Sequence, residues 1–555
     1  MISHPKIQMG ENFEQEIRNI QVTREEVGTI LGKINVNKSS GPDNINPLVL
    51  QKTAVASSRP LTIIFNLSLS SGNLPEDWTT ANVTPIHKKG DRTDPSNYRP
   101  VSLTSQVCKV LETIVRRHLL KHLEDNRILS DRQHGFREGR SCLTNLLEIV
   151  EKWTDILDQP GHGIDVAYLD FRKAFDLVSH NHLLYKMGKY GIKSQVLNWV
   201  KAFLSHRTQR VVIRGTASEP QSVTSGVPQG SVLEPILFLI FINDLPLEVI
   251  SPISLFADDS KIFTKIVSEE HSADEDGFRG DEILQRDLNR IKTWADKWKM
   301  EFNVGKCKVM HLGSSNPRNR YFMGQDELAV TTEERDLGVL VDDSLEFDKH
   351  IHGVVNKANR MLGLIKIGFN SLDKESFMNI YPVLVRPLLE YCVQVWSPYK
   401  QRYISLIERV QERATKLVGS MRHLPYEERL RRLGLTTLVE RRHRGDMIET
   451  YKILTGREKV DPTSYFRVAN ERGDPELARG YRLINSNSQR RVPNSERRRN
   501  TFSQRVIVPW NRLSRDEVSA PTTSTFKTRF DKRDIERRAQ REGRDGRAYN
   551  HLYHL

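Results

Sequence analysis

Two short apolar runs meet at a pair of adjacent carboxylates in Ile253-Ser-Leu-Phe-Ala-Asp-Asp-Ser-Lys-Ile-Phe263, and few local structures accommodate that pattern. Ile, Leu and Phe before the acids, with Ile262 and Phe263 after them, predict a β-hairpin carrying Asp258 and Asp259 at its tight turn. Two like charges held at the end of apolar strands repel and lose solvation, so a divalent cation is their natural partner. Asp-Asp is also ordinary turn chemistry, and the pair alone leaves both readings open. Upstream, Asp165-Val-Ala-Tyr-Leu-Asp-Phe-Arg-Lys-Ala-Phe-Asp176 is an apolar strand that reaches Asp170 and gives way to a polar, aromatic turn. A second strand ending in an acid can supply the third carboxylate of a two-metal site, which holds an attacking hydroxyl and a leaving group in line.

Between these acids, His182 to Tyr190 and Val196 to Leu204 predict helices and Gln209 to Arg214 an extended segment. Gly226-Val-Pro-Gln-Gly-Ser231 predicts a loop leading into a helix over Val232 to Ile242, so the whole reads as a βαββ unit. Ahead of it, Thr23 can cap a helix running through Leu31, and Lys38-Ser-Ser-Gly-Pro-Asp43 is a basic turn. Trp78 to Ile86 and Tyr98 to Leu103 predict strands around the cationic turn His87-Lys-Lys-Gly-Asp91. That hairpin would carry Lys88 and Arg99, of which Arg offers bidentate and Lys point-charge contacts to phosphate. Val107 to Leu123 reads as an amphipathic helix burying Val110, Leu111, Ile114, Val115 and Leu119. Gln133 to Ser141 is Gly-rich and basic, with Arg137, Arg140 and Phe136 suited to gripping a nucleic-acid strand through phosphates and one stacking ring; a core role for Phe136 is the alternative. Asp281 to Lys299 predicts a helix, Phe302 to Leu312 a turn and strand, Leu337 to Val341 a strand, and Phe347 to Ser420 a helical region.

A chain of 555 residues exceeds one compact core and implies two to four subdomains. Its net charge of +14 favours a polyanionic partner. From Arg490 to Arg547 there are 17 Lys and Arg against 8 Asp and Glu, which fits either a solvated tail or nucleic-acid binding. Cys108, Cys142, Cys307 and Cys392 are too dispersed for a zinc motif and too few for a disulfide framework, which suggests a reducing compartment and no zinc. Neither the N-terminus nor the longest apolar run, Pro235 to Ile242, suits a signal or a membrane span, so the expectation is a soluble, intracellular chain with no membrane partner. The sequence does not address oligomeric state.

Taken in order, Asp170 with Ala174-Phe175-Asp176, Gly226-Val-Pro-Gln-Gly-Ser-Val232 and Phe256-Ala-Asp-Asp259 closely resemble three core motifs of reverse transcriptases. Asn97-Tyr-Arg-Pro-Val-Ser-Leu103, His134-Gly-Phe-Arg-Glu-Gly-Arg-Ser141 and Phe241-Ile-Asn-Asp-Leu-Pro246 narrow the resemblance to polymerases of non-LTR retrotransposons (LINEs) of the jockey and chicken-repeat type, from about Asn35 to around Trp510. The resemblance implies an α/β (α+β) right-hand polymerase: a polar extension over 1–34, fingers over 35–164, a βαββ palm over 165–341, a helical thumb over 342–450 and a basic C-terminal region over 451–555, with the reverse transcriptase domain at about 69–341. It implies an RNA template, a DNA primer and dNTPs as partners, and a nuclear place of action. It also implies two Mg²⁺, with Mn²⁺ as the alternative ion, held by Asp170, Asp258, Asp259 and the Phe171 carbonyl.

By the same resemblance Lys88 and Arg99 meet the incoming triphosphate, Phe175 lies under the deoxyribose and excludes a 2′-hydroxyl, and Gln229 and Gly230 approach the templating pair. Lys38 lies near the template, and Lys306, with Lys308 as alternative, protonates departing pyrophosphate. About 34 residues precede the resembling region, fewer than the endonuclease that such elements usually encode ahead of the polymerase, and no acidic cluster after the thumb suggests RNase H. One core position departs from the pattern: Gly230-Ser-Val-Leu-Glu-Pro235 has Glu234 where the motif has glycine. The alternative reading is therefore a catalytically impaired relict that only binds nucleic acid.

Overall fold

Thr23 begins the ordered helices with the capping box its sequence predicts: its hydroxyl accepts the Glu26 N–H, and the Glu26 carboxylate accepts the Thr23 N–H. The computed structural model describes residues 15–267, 279–369, 371–468, 482–485 and 494–542. Residues 1–14 of the polar extension, and 490–493 and 543–547 of the Arg-rich stretch, lie outside the described residues. Helices α1 (Arg24–Gly32), α2 (Pro47–Lys52), α3 (Ala54–Ser71) and α4 (Glu76–Thr79) lead into the antiparallel strands β1 (Thr80–His87) and β2 (Tyr98–Leu103). Then come α5 (Gln106–Asp125), α6 (Cys142–Leu157), β3 (His162–Leu169), α7 (His180–Lys189) and α8 (Ser194–Leu204). The five apolar positions expected on the inner face of α5 are all buried.

β4 (Arg207–Ile213), β5 (Thr216–Ala217) and β6 (Gln221–Val223) follow. They leave the acid-bearing unit and complete the first sheet, of order β2-β1-β4-β5 with β6 also on β4. β4 runs parallel to β1, with Thr80 opposite Thr208, so the chain returns to a strand more than a hundred residues upstream. A linear division at residue 165 therefore does not follow the sheets.

The remaining elements are α9 (Glu234–Ile242), β7 (Ile253–Phe256), β8 (Asp259–Val267), α10 (Gly280–Trp298) and β9 (Lys308–Leu312), then the short strands β10 (Phe322–Met323), β11 (Asp326–Glu327), β12 (Ala329–Thr331), β13 (Glu333–Asp336) and β14 (Val339–Asp342). The central sheet has the order β12-β9-β3-β8-β7. β3 lies in its middle, which explains its nearly unbroken apolar run. Ala167 and Leu169 belong to a core with α7, α9 and α10, and Ile164 and Val166 to a second core. α9 is buried from Ile236 to Ile242, as a helix that is hydrophobic all round must be.

Helices α11 (Asp348–Gly368), α12 (Lys374–Leu384), α13 (Arg386–Glu390), α14 (Val393–Trp396) and α15 (Gln401–Thr415) fill the region expected to be helical. They share the second core: Trp396 and Ile407 lie in one cluster with Trp153, Val166 and Phe263. Each such side chain contributes roughly 1.5–3 kcal/mol of burial free energy, which couples these helices to the central sheet. The described part of the basic C-terminal region is also docked. Arg498 is buried against Glu151, with Nη2 2.7 Å from Oε1, and Arg505 and Arg533 pair with Asp446 and Glu517. Part of its positive excess is thus neutralised inside the protein. Among the described residues, no helix is long and apolar enough to cross a membrane.

Candidate active site

The register of the central sheet brings the three acids to one end. Leu169 of β3 pairs with Ser260 of β8, so the next step sets Asp170 across from Asp259. Phe256 pairs with Asp259, leaving Ala257 and Asp258 as the hairpin turn. Asp170 is anchored through its backbone: its carbonyl accepts the Asn303 N–H at 2.8 Å, and its own N–H donates to Cys307 Sγ at 3.4 Å. The Arg172 N–H donates to the Glu301 carbonyl, so the Phe171 carbonyl stays outside this bridge, while its ring stacks on Phe302 at 4.2 Å.

The electrostatics fit hard cations. Burial, then the Asp170 charge, raises Asp258 above the ordinary carboxylate range. The surrounding protein, then Asp258, Asp336 and Asp170, pushes Asp259 up to about 6, although its side chain reaches solvent at the hairpin tip. Asp170 Oδ2 is buried without a hydrogen-bond donor; Lys306 Nζ approaches to 3.1 Å but off the axis of a hydrogen bond. An unsatisfied carboxylate oxygen among repelling carboxylates is the all-oxygen donor set that Mg²⁺ or Mn²⁺ prefers. Among the described residues, no three His, Cys, Asp or Glu side chains are gathered into a ready coordination sphere. Lys308 pairs with Glu334 instead, at 2.9 Å.

The stretch from Gln133 to Ser141, expected to grip nucleic acid, turns both of its arginines onto acids of the protein. Arg137 is buried and bidentate to Glu124, both bonds 2.9 Å, with Nη1 also donating to the Ser130 carbonyl at 2.7 Å. The Arg140 side chain is 7% exposed and donates to the Asp131 carboxylate and carbonyl, both at 2.6 Å. All three Arg137 nitrogens are thus engaged inside the fold, whereas Arg140 leans on the exposed Asp131 and leaves its Nε without a partner. Phe136 is exposed and not a core residue. Gln133, given no role by the sequence, is buried, and its amide bonds the backbone of Ala257 beside Asp258. The signal for it was Gly135, where a Cβ would lie 2.5 Å from Ala257 N.

The loop from Gly226 to Ser231 is wedged between β2 and the turn after β3. A Cβ on Gly226 would meet Asp176 Cα at 2.8 Å, and one on Gly230 the Ser102 carbonyl at 2.6 Å. Both have positive φ, +85° and +95°. Gly230 is thus demanded by packing on Ser102. Gln229 Nε2 donates to Asp176 Oδ1 at 2.8 Å, a partner sequence reasoning missed. Phe175 is half-buried, its ring 4.4 Å from that of Phe238. Lys88 and Arg99 are exposed on the β1–β2 hairpin, and the Arg99 charge favours ionised Asp258 and Glu234, which sets it on the acid side. Lys38 is exposed on a turn held to α5 by the Gln106 amide on the Ser39 carbonyl.

Glu234 does not point into solvent. Its Oε2 accepts the Gly230 N–H at 2.6 Å, and burial pushes its carboxyl up to about 7 against the pull of that bond and of Arg99. Glu112, buried in α5, accepts the Val232 and Leu233 N–H groups just ahead of α9, another residue the sequence did not single out.

Residues 86–351 match the family described as reverse transcriptase (RNA-dependent DNA polymerase). The chain is similar to the RNA-directed DNA polymerase from mobile element jockey of Drosophila melanogaster, 29% identical over 73% of this chain and 45% of that protein. The jockey polymerase of Drosophila funebris is likewise 29% identical, over 73% and 45%. The probable RNA-directed DNA polymerase from transposon X-element of Drosophila melanogaster is 26% identical over 71% and 43%. The chain spans a little under half the length of these relatives. The three acids brought to the end of the central sheet all lie within residues 86–351, the part that matches the reverse transcriptase family, and the chain around them is similar to polymerases of jockey-type non-LTR retrotransposons.

Proposed function

We propose that this chain is an RNA-directed DNA polymerase, with the central sheet as palm, the first sheet and α1–α3 as fingers and helices α11 to α15 within the thumb. The observation that carries the reading is the meeting of Asp170 with the Asp258–Asp259 turn across β3 and β8. Asp170, Asp258, Asp259 and the Phe171 carbonyl would hold two Mg²⁺, or Mn²⁺. When bound, such ions lower the pKa of a primer 3′-hydroxyl and neutralise triphosphate charge.

The remaining work falls to the protein. Arg99 and Lys88 would grip the triphosphate, the first through paired N–H groups and the second as a point charge. Phe175, braced by Phe238, would lie beneath the deoxyribose and leave no room for a 2′-hydroxyl. Gln229, fixed by Asp176, would border the templating pair together with Gly230, and Lys38 would contact the RNA template. Lys306 is the ammonium nearest Asp170 and would pass a proton to departing pyrophosphate once it leaves that carboxylate.

The test is extension of a DNA primer on an RNA template with dNTPs and Mg²⁺. Template-dependent extension is expected; template binding without extension would instead favour the relict. That second reading rests on one observation, the Glu234 carboxylate occupying the Gly230 N–H beside the nucleotide loop.

A further inference from the structure

Ala257 has a φ of +57° at the first position of the two-residue turn that presents Asp258. A turn with positive φ there ordinarily carries glycine, because a Cβ makes that conformation unfavourable. An alanine persists in it only when its surroundings over-determine the backbone. Ala257 is also buried, so both polar groups of its backbone need partners.

One side chain supplies both. Gln133 Oε1 accepts the Ala257 N–H at 2.9 Å, and Gln133 Nε2 donates to the Ala257 carbonyl at 3.4 Å. The same Oε1 accepts the Gly135 N–H at 2.8 Å, which fixes the amide's orientation. The main chain around Gln133 is laced to β7: the His134 N–H donates to the Leu255 carbonyl at 2.9 Å and the Leu255 N–H to the Arg132 carbonyl at 3.0 Å. Behind it, Arg137 Nη1 donates to the Gln133 carbonyl at 3.4 Å while its other nitrogens grip Glu124. The residue that dictates where the Asp258 carboxylate begins is thus held by an amide from a distant loop.

Resting on the polymerase reading above, we propose that Gln133 is a positioning residue, which acts through the Ala257 peptide to set Asp258 for metal binding. It touches no substrate and no reacting atom. Removing the amide would free the turn to relax to negative φ, swinging Asp258 away from Asp170 with little change elsewhere. Glycine at 257 would tolerate positive φ without the clamp.

The test measures Mn²⁺ binding to the full chain, by the electron paramagnetic resonance signal of free Mn²⁺, beside primer extension and template-primer affinity. Gln133→Met, similar in length but unable to make these bonds, should weaken Mn²⁺ binding by about tenfold, as loss of a residue orienting a ligand typically does, with template-primer affinity within about twofold. Adding Ala257→Gly should restore most of the Mn²⁺ affinity. An unchanged Mn²⁺ affinity in Gln133→Met, or a loss that Ala257→Gly does not repair, overturns the clamp. Should Gln133→Met not fold, Ala257→Gly alone decides: with the clamp intact its Mn²⁺ affinity stays within about twofold of wild type, and a larger loss overturns the proposal. Failure of the wild-type chain to bind Mn²⁺ or to extend a primer would instead sink the polymerase reading itself.

Discussion

Gln133 to Ser141 and Gly226 to Ser231 read alike in sequence, as glycines among polar residues beside the acids, yet the fold uses them in opposite ways. The first turns its cations onto acids of the fold, Arg137 onto Glu124 and Arg140 onto Asp131, and sets its buried amide on the acid-bearing hairpin. The second carries no cation, pins its glycines against Asp176 and Ser102, and leaves Gln229 half-exposed. In both loops a glycine marks a close backbone approach, and in both the approach is to the protein's own backbone. What separates scaffold from contact surface is whether an acid of the fold lies within reach of the cation, and for Arg137 that acid, Glu124, sits near the end of α5, 13 residues upstream.

The largest expected effect tests whether the two loops face a working site at all. Asp258→Asn removes a metal-binding charge and should lower extension on the order of a thousandfold, about 4 kcal/mol of transition-state stabilisation, with template binding kept. Extension at the wild-type rate would leave the comparison without a catalytic centre. Next, Arg137→Ala should destabilise the fold by about 3 kcal/mol, because Glu124 and the Ser130 carbonyl lose their donors, and urea unfolding would register it. Unchanged stability with weakened RNA binding would return the first loop to the role of a grip. Phe175→Val tests the floor under the second loop: the preference for dNTP over NTP should fall by about tenfold, while loss of the Phe238 contact costs near 1 kcal/mol of stability.

How much of this the sequence discloses follows from how local each signal is. The hairpin at 253–263 is legible because two apolar runs and a polar turn lie within eleven residues, and its strands fall where they are expected. The α10 stripe of Leu284, Leu288, Ile291, Ala295 and Trp298 is legible from its spacing, and all five are buried. β4 is legible as a strand but not as a neighbour of β1, since nothing in a seven-residue stretch records which distant edge it will join. The same limit hides the Gln133–Ala257 and Arg137–Glu124 contacts and lets a bound arginine pass for a free one.

Glu234 yields the smallest expected effect and the sharpest contrast between the loops, because there an acid folds onto a loop whose glycine N–H would otherwise be open. Its carboxyl, held near 7 mainly by burial, is largely neutral at pH 6 and largely ionised at pH 8. Because that value lies above the ordinary one, the stability it contributes is fully present below about pH 4.5 and is lost as pH rises through about 7. Glu234→Gln keeps an acceptor for the Gly230 N–H but cannot ionise, so it should match wild type in melting temperature below about pH 4.5 and exceed it by a growing margin up to about pH 7. Kinetics should follow the same sign: the anion repels an incoming triphosphate, so Glu234→Gln should leave the KM for dNTP unchanged at pH 6 and lower it by about threefold at pH 8, a screened repulsion of about 0.7 kcal/mol. Glu234→Gly removes charge and clamp together. If it gains as much as the glutamine variant, the Gly230 bond is incidental; if it gains less, that bond shapes the loop. A KM insensitive to both substitutions at both pH values would make Glu234 a structural tie between loop and helix, and the relict reading would lose the residue on which it stands.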